Sequence, residues 1–329
     1  MIYITIEKRG KAGVIGLDRP KKLNALNQEM IEQISMALDI FEKDHEINRV
    51  LIKSNHNKAF CSGGDLKSIR NHCISNNYDK AENFFKKEYE LILRIANYSK
   101  PYISLIDGLC MGGGLGLVMH GKYRIASEMA VFAMPETAIG FFPDVGASFF
   151  LPRMPHNAGY WMGLTGAKVK DFYAHALGLS THMTLSSSIS EIFDALCFSK
   201  DSITNILDDF CETLKYQTST LMLAASTKCF DQPTICSIQN CLSNVNSIEA
   251  IEALKALKIA SPRSLYETMS LLNKTSNKTL SACLAHEFKA AKRAIRHPDL
   301  IEGVRAILID KDYSPTWPST NDGKSSILI

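Results

Sequence analysis

The sequence predicts an α/β fold in its amino-terminal part, followed by a helical carboxy-terminal part. Over about the first 185 residues, short strand patterns alternate with helical ones, and glycines mark the turns. From Leu185 to Leu308 glycines become scarce and helical patterns dominate. At roughly 150 residues per domain, the 329 residues suffice for about two domains. We therefore expect an α/β core over residues 1–185 and a helical region over residues 186–329 that packs on it.

The composition excludes several protein classes. Hydrophobic residues make up 46% of the chain and charged residues 22%, which excludes a mainly disordered, collagen-like or coiled-coil protein. The net charge of +3 is too small for a nucleic-acid surface. The nine cysteines form no CxxC pair and no zinc-like spacing, which favours free thiols in a reducing compartment over a disulfide framework. The opening residues alternate as in a strand, unlike a secretion or transit signal, and no run of about 18 apolar residues is seen, so we expect no membrane span. We expect a cytoplasmic protein whose partners are neither membranes nor nucleic acids.

Strands and helices are predicted in the following order. Two strands, Ile2–Glu7 and Val14–Leu17, flank the turn Gly10–Gly13 in the manner of a hairpin. Asn27 is a helix cap, because the apolar residues after it recur at helical spacing. Further strands are predicted at Val50–Lys53 and Pro101–Asp107. Further helices are predicted at Asp79–Asn97, Ile203–Leu214, Ser247–Leu257 and Leu280–Ile295, before an irregular stretch at Tyr313–Lys324.

Three glycine-bearing turns stand out as places for chemistry: Phe60–Leu66, Gly108–Gly116 and Met134–Gly146. The first two lead from a strand into a helix, where backbone N–H groups can approach a ligand closely and negative charge is favoured. Two such turns can each direct one N–H at a single developing oxyanion. The alternative is that the glycines only close tight turns. No turn matches the dinucleotide-binding pattern G-x-G-x-x-G, and no P-loop is present.

Two carboxylates, Glu136 and Asp144, lie eight residues apart in an apolar segment. Their neighbours include Phe132, Ala133, Met134, Phe141 and Phe142. Burial among such residues is costly for a charged group and raises the pKa of a carboxyl towards useful basicity. Both are therefore candidates for a general base, a nucleophile or a substrate anchor. The alternative is a glutamate that caps a helix and an aspartate in a turn.

A competing hypothesis makes Cys110 the nucleophile. The segment Gly108–Gly112 has the form of a nucleophile elbow with cysteine in place of serine. Asp144, and then His286 or His297, follow in the chain order that α/β-hydrolases use. The commoner explanation for such a thiol is a buried structural cysteine. The remaining histidines form no pair with metal-ligand spacing.

Taken together, these segments resemble the enoyl-CoA hydratase/isomerase (crotonase) superfamily. The resemblance is carried by Ile15–Asn27, Ala59–Leu66, Lys100–Gly108 and Gly112–Gly114, in that order and spacing. It implies a crotonase-like spiral of ββα units with a helical carboxy-terminal region. It also implies assembly as a homo-oligomer, a trimer or a hexamer.

The residues at two positions resemble those of the 3-hydroxyisobutyryl-CoA hydrolase branch of that superfamily. Hydratases carry a catalytic glutamate where this chain has Gly116, and they usually carry glycine where it has Asp144. Further matches to the branch are Phe84–Tyr89, Phe150–Arg153, Gly178–His182, Ser261–Leu265, Glu302–Ala306 and Asp310–Asp312. The chain departs from the branch at Ala147, where glycine is common, and matches it only loosely over Leu185–Asn246.

The resemblance implies hydrolysis of a short, branched 3-hydroxyacyl-CoA thioester, 3-hydroxyisobutyryl-CoA of valine degradation. Backbone N–H groups of Gly64 and Gly113 then form the oxyanion hole, and Glu136 is the nucleophile or the general base. Asp144 and Glu88 hold the 3-hydroxyl group and help to transfer the proton, which makes Asp144 a catalytic residue as well. No metal or redox cofactor is implied, since CoA is part of the substrate. Cations that border the matching turns and are candidates for the CoA phosphates are Arg19, Lys21, Lys22 and Lys58.

Three alternatives stay open at this point. One is an enoyl-CoA hydratase or isomerase of the same superfamily, against which Gly116 argues because the second carboxylate is missing. The others are the cysteine-elbow hydrolase and a catalytically idle CoA-binding subunit. The compartment is equally open, because the branch is mitochondrial in animals and a processed chain in the mitochondrial matrix has no presequence.

Overall fold

A computed structural model describes residues 3–211 and 227–317 of the chain. Within these residues the chain divides into two compact units built from interleaved segments. The first unit comprises residues 3–64, 90–132 and 169–211, and the second comprises residues 65–89, 133–168 and 227–317. The division at residue 185 stays a prediction.

The strands form a six-stranded sheet, in the order β1-β2-β3-β5-β7-β10, and a four-stranded sheet, in the order β4-β6-β8-β9. Their bounds are Ile4–Arg9 (β1), Ala12–Leu17 (β2), Arg49–Ser54 (β3), Ala59–Cys61 (β4), Tyr102–Ile106 (β5), Leu109–Met111 (β6), Tyr123–Ser127 (β7), Val131–Ala133 (β8), Val169–Lys170 (β9) and His182–Thr184 (β10). The predicted hairpin is confirmed as the antiparallel pair β1–β2. The remaining pairs of the six-stranded sheet are parallel, as expected for an α/β fold.

The α-helices of the described residues are Gln28–Lys43 (α1), Leu66–Ile74 (α2), Tyr78–Ala96 (α3), Gly113–Met119 (α4), Ala147–Phe150 (α5), Ala158–Thr165 (α6), Asp171–Ala176 (α7), Ile189–Phe198 (α8), Ile203–Phe210 (α9), Ile235–Ser243 (α10), Ile248–Ile259 (α11), Pro262–Thr275 (α12), Leu280–Ala294 (α13) and Pro298–Val304 (α14). Asn27 caps α1 as predicted, since its side chain accepts a hydrogen bond from the N–H of Met30 at 3.0 Å. The helix predicted at Ile203–Leu214 ends at Phe210, and residues 212–214 lie outside the described residues. Residues 313–317 are irregular as predicted, and residues 318–324 lie outside the described residues.

The core of the first unit lies between the six-stranded sheet and the helices α8 and α9. Apolar side chains of the central strands, such as Leu51 and Ile103, are fully buried against these helices. The helices contribute Ile192, Leu196 and Leu207 to the same core. This packing explains why the central strands are nearly continuous apolar runs, which is typical of parallel strands covered by helices.

The four-stranded sheet places two of the glycine turns at the same edge. Strands β4 and β6 run parallel, with Ala59 opposite Leu109 and Cys61 opposite Cys110. The turn at Gly63 and Gly64 follows β4, and the turn at residues 112–114 follows β6. Because the carboxyl ends of parallel strands meet at one edge of a sheet, the two turns emerge side by side.

In the second unit, helix α14 packs directly on the 3₁₀ turn Glu136–Ile139. A Cβ added at Gly303 would lie 2.3 Å from the carbonyl carbon of Ile139, and one added at Gly140 would lie 2.2 Å from the carbonyl oxygen of Asp299. Such distances leave no room for a side chain, so glycine is required at both positions. Backbone contact of this kind fixes the turn that begins with Glu136.

Two further features concern cysteine chemistry and membranes. Cys229 and Cys241 form a disulfide in the second unit, which differs from the expectation of free thiols throughout. The sequence could not reveal this pair, because connectivity depends on which residues the fold brings together. None of the helices in residues 3–211 and 227–317 is long and apolar enough to cross a membrane.

Candidate active site

The two glycine turns of the first unit lie against each other. Gly63 has a φ of +108° and Gly112 a φ of +48°, values that favour glycine. A Cβ added at Gly63 would lie 3.3 Å from the carbonyl oxygen of Met111 and 3.7 Å from the backbone nitrogen of Gly113. A larger residue at position 63 would therefore press on the backbone of the facing turn.

The backbone N–H groups of Gly64 and Gly113 are available to a ligand. Among the residues that the structure describes, neither group donates a hydrogen bond to the protein. Gly113 is the first residue of α4, where N–H groups have no partner within the helix. The predicted pair of oxyanion donors is thus free to bind a ligand oxygen.

Asn24 holds the first of these turns in place. Its side-chain nitrogen donates hydrogen bonds to the carbonyl oxygens of Ala59 at 3.3 Å and Phe60 at 3.0 Å, and to the Ser54 hydroxyl at 2.8 Å. Only 1% of Asn24 is exposed. The residue lies in the first segment of the family resemblance, and its contacts show that it anchors β4 just before Gly63.

Cys110 does not occupy a nucleophile elbow. It lies in the middle of strand β6 rather than in a strand-to-helix turn, and it is fully buried. Burial raises the pKa of its thiol well above the usual range, and the neighbouring Cys61 raises it further. Since the thiolate is the nucleophilic form, the cysteine-elbow hypothesis is wrong.

The second unit gathers four buried carboxyl groups from four separate elements. Glu88 lies on α3, Glu136 begins the 3₁₀ turn, Asp144 lies in the loop before α5, and Glu287 lies on α13. Their exposed fractions are 3%, 6%, 5% and 0%, respectively. Burial raises the pKa of Glu88 well above its usual range, and the charges of the other three carboxyls raise it further. The three predicted carboxylates of this unit are therefore brought into one cluster.

Aromatic packing joins α3 to the loop that leads to Asp144. The ring of Phe85 stacks on that of Phe141 with centroids 5.2 Å apart, and Phe141 stacks on Phe142 at 4.5 Å. Stacked rings of this kind add to the burial of apolar area in fixing the loop. The stacked rings thus pack α3 against the segment that carries Glu136 and Asp144.

Asp144 is held by Tyr89, which was not predicted as a site residue. The Tyr89 hydroxyl donates a 2.7 Å hydrogen bond to Oδ2 of Asp144. Burial raises the pKa of Asp144 to about 8, the hydrogen bond from Tyr89 opposes that rise, and the charge of Glu287 adds to it. Asp144 can therefore exchange a proton near neutral pH.

Glu136 and Glu88 each present a buried oxygen to the cluster without a protein partner. Among the described residues, neither Oε2 of Glu136 nor Oε1 of Glu88 has a hydrogen-bond partner. Burial raises the pKa of Glu136 well above its usual range, and the charge of Asp144 raises it further. Buried polar atoms are rarely left unpaired, so such oxygens indicate a place for a ligand or water.

Glu287 is the fourth carboxyl, and it was not predicted from the sequence. It recurs at helical spacing with buried residues of α13, which include Cys283, Leu284, Ala290, Ala291 and Ala294. A charged residue in the apolar stripe of a helix was the available signal, since Glu, Lys, Arg and Asp are almost never fully buried unless paired. For Tyr89 the only sequence signal of a role in the site was weaker, namely its position next to Glu88.

The candidate phosphate-binding cations differ in their surroundings. Nη1 of Arg19 donates a 2.7 Å hydrogen bond to the carbonyl oxygen of Ala25, and its guanidinium lies over the ring of Tyr3. Lys21, Lys22 and Lys58 are exposed. Arg19 therefore has a structural role in the Asn24 segment, and the three lysines stay candidates.

The sequence is similar to proteins of known activity over almost its whole length. A sequence model of the family described as Enoyl-CoA hydratase/isomerase matches residues 12–324. The human protein "3-hydroxyisobutyryl-CoA hydrolase, mitochondrial" is 39% identical over 95% of this chain and 83% of its own length. The zebrafish (Danio rerio) protein of the same name is 38% identical over 99% of this chain and 88% of its own.

The fold is similar to solved structures of the same family. A carnitinyl-CoA dehydratase from Mycobacterium thermoresistibile superposes with a TM-score of 0.92 at 27% identity, over 100% of this chain and 95% of that one. An enoyl-CoA hydratase from Rhodobacter sphaeroides superposes with a TM-score of 0.89 at 32% identity, over 99% and 97%. The predicted crotonase-like α/β fold is confirmed. The chain belongs to the enoyl-CoA hydratase/isomerase family, in the branch of the 3-hydroxyisobutyryl-CoA hydrolases.

Proposed function

We propose that this protein hydrolyses 3-hydroxyisobutyryl-CoA to 3-hydroxyisobutyrate and CoA, a step of valine degradation. The observation that carries the proposal is the unpaired, buried Oε2 of Glu136, in a chain that belongs to the hydrolase branch. A carboxyl oxygen without a protein partner is suited to act on a substrate or a water. The raised pKa of Glu136 makes its carboxylate a stronger base than a solvated one.

The proposed chemistry uses two kinds of group. The N–H groups of Gly64 and Gly113 stabilise the oxyanion that develops on the thioester oxygen, a contribution worth about 10²–10³ in rate for one donor. Glu136 either attacks the thioester carbonyl, which gives an anhydride and releases CoA thiolate, or removes a proton from a water that attacks it. In both routes the C–S bond breaks, CoA takes up a proton, and one water is consumed.

Asp144 and Glu88 are proposed to bind the 3-hydroxyl group. Support comes from their burial and from the raised pKa of each group, so that either can donate or accept a hydrogen bond. A site whose buried polar groups pair with a substrate hydroxyl rejects analogues that lack it, because those groups are then left unpaired. This proposal makes the acyl chain the part of the substrate that the cluster selects.

Hydration of an enoyl-CoA is the competing activity. It requires a second carboxylate at the position of Gly116, which is a buried glycine on α4. The family resemblance therefore favours the hydrolase, even though the Rhodobacter neighbour is a hydratase by its title. The two activities give different products from different substrates.

The proposed function is tested by measuring release of the CoA thiol from four thioesters. These are 3-hydroxyisobutyryl-CoA, 3-hydroxypropionyl-CoA, saturated isobutyryl-CoA and unsaturated methacrylyl-CoA. We expect thiol release to be fastest with a branched or unbranched 3-hydroxyacyl group. Loss of the enoyl absorbance without thiol release would identify a hydratase, and binding of CoA without any turnover would identify an idle subunit.

Four remaining expectations, on assembly, cofactors, phosphate contacts and compartment, are also proposals. Assembly as a trimer or hexamer is tested by sedimentation. The absence of a cofactor requirement is tested by measuring activity after dialysis against a chelator. Lys21, Lys22 and Lys58 are proposed contacts of the CoA phosphates. The animal relatives are mitochondrial by name, which is compatible with the mitochondrial matrix as the compartment.

A further inference from the structure

We infer that Glu287 is a positioning residue, whose carboxylate holds residues 144–148, the loop that leads into the first turn of α5, and thereby sets the place of Asp144. The inference rests on the proposed function, in which Asp144 contacts the substrate. Glu287 reaches this loop from α13, which is remote in sequence from all the residues that the family resemblance assigns to the site. It acts on the reaction through Asp144 rather than by touching the thioester.

Three hydrogen bonds connect the Glu287 carboxylate to the loop. The N–H of Gly146 donates to Oε2 at 2.8 Å, and the N–H of Ser148 donates to Oε1 at 2.9 Å. The Ser148 hydroxyl also donates to Oε1. The two oxygens of the Glu287 carboxylate thus bind two residues, Gly146 and Ser148, that lie two positions apart. These bonds fix both the position and the orientation of the loop.

The loop needs this restraint because its backbone is strained. Val145, a β-branched residue, has a φ of +56°, and Gly146 has a φ of +82°. A left-handed conformation is tolerated by glycine but costs about 1–3 kcal/mol at most other residues. Such strain persists only where neighbouring contacts impose it, and it lies directly after Asp144.

The chemistry around Glu287 favours a functional role over a purely stabilising one. The residue is fully buried, and within the described parts of the chain it forms no ion pair with a lysine or arginine. Burial raises the pKa of its carboxyl, while the hydrogen bonds from the loop oppose that rise. A buried carboxyl without a cation is a costly way to hold a loop, because its charged form loses its solvation by water.

Glu287 also influences the charge state of Asp144. The groups that face Asp144 are Tyr89 and Glu88 from α3, Glu136 from the 3₁₀ turn, and Glu287 from α13. The negative charge of Glu287 raises the pKa of Asp144, whereas the hydrogen bond from Tyr89 lowers it. Because these carboxyls interact, the pH dependence of the reaction reports the titration of the cluster as a whole.

Two substitutions separate the charge of Glu287 from its geometry. Glu287→Gln keeps the shape and removes the charge, so we expect the ascending limb of kcat against pH to move to lower pH. One hydrogen bond also becomes a contact between two donors, so we expect kcat to fall about tenfold. Glu287→Asp keeps the charge and shortens the side chain. We therefore expect a similar fall in kcat, while the ascending limb of the pH profile stays at the wild-type pH. KM for 3-hydroxyisobutyryl-CoA should change less than kcat in both.

The measurement is the pH profile of thiol release from 3-hydroxyisobutyryl-CoA, with thermal unfolding as the check of folding. A folded Glu287→Gln variant with the wild-type kcat and pH profile would overturn the inference. If that variant does not fold, wild-type kcat in Glu287→Asp would overturn it instead. Glu136→Gln is measured in the same assay. Full activity of the Glu136→Gln variant would refute the proposed function. If Glu136→Gln is inactive but both Glu287 variants behave like the wild type, only the role of Glu287 is refuted.

Discussion

The hydroxyl of Tyr89 and the carboxyl of Asp144 are joined by a 2.7 Å hydrogen bond between residues that lie 55 positions apart. The bond connects α3 to the loop before α5, and both partners are buried. The bond also couples the protonation states of the two residues. Tyr89 stabilises the charged form of Asp144. Burial raises the pKa of Tyr89, and the charge of Asp144 raises it further. The pair is one contact between α3 and the cluster, to which α3 also contributes Glu88.

Removing this bond with Tyr89→Phe should move the ascending limb of kcat to higher pH. The reason is that the bond lowers the pKa of Asp144, so its loss lets that pKa rise. We expect kcat at neutral pH to fall about tenfold, the usual effect of one hydrogen bond to a charged group. Tyr266→Phe is the control, since Tyr266 is half exposed. A limb that does not move in Tyr89→Phe would contradict the coupling.

Glu136→Gln should lower thioester hydrolysis by about 10²–10⁴-fold, because it removes the proposed base or nucleophile while keeping the shape of the side chain. Folding should be retained, and replacing a buried acid whose pKa is raised by burial should leave the melting temperature unchanged or raise it. Glu191→Gln is the control, since Glu191 is exposed on α8. Near-normal thiol release by a folded Glu136→Gln variant would contradict the assignment of Glu136 as the base or nucleophile.

Asp144→Gly should lower selectivity for the 3-hydroxyl group more than it lowers binding of the CoA part. We expect the ratio of kcat/KM between 3-hydroxyisobutyryl-CoA and isobutyryl-CoA to fall about tenfold or more, because a buried hydrogen-bond partner of the hydroxyl is lost. Competitive inhibition by free CoA serves as the measure of binding to the CoA part. An unchanged acyl profile would show that Asp144 does not contact the hydroxyl.

Gly113→Pro should remove one oxyanion donor with little change in backbone shape. Proline is tolerated at the first position of a helix, and Gly113 is the first residue of α4. We expect kcat to fall about 10²–10³-fold, the usual effect of one lost donor. Gly114→Ala is a contrasting variant, because its Cβ would lie 2.5 Å from the carbonyl oxygen of Cys61 and should lower stability instead. Full activity in a folded Gly113→Pro protein would exclude this donor.

Asp144→Asn should stabilise the protein progressively as pH rises. The folded-state pKa of Asp144, about 8, lies above the usual value of 3.8, so between these values the folded state binds more protons than the unfolded state and loses stability as pH increases. Each pKa unit is worth about 1.4 kcal/mol, so the difference between variant and wild type should reach a few kcal/mol by about pH 8. Urea unfolding across this range measures it. A difference that does not grow with pH would contradict the raised pKa.

Much of the fold and part of the site could be predicted from local sequence. Strand β2 and helix α1 follow from apolar spacing, and Asn27 from the chemistry of helix caps. Glu136 and Asp144 were predicted because carboxylates in an apolar segment are unusual. The disulfide between Cys229 and Cys241 was not predicted, because the two cysteines lie twelve positions apart and no spacing rule identifies the pair.

The sequence by itself determined part of the secondary structure, the glycine turns and the two carboxylates of one short segment, because each depends on neighbours along the chain. Only the tertiary structure decided which groups surround those carboxylates. Tyr89 lies 55 residues before Asp144, and Glu287 lies 141 residues after Gly146. The physical reason is that burial and the charges of contacting groups set a pKa and hold a strained loop, and both arise when elements remote in sequence pack together.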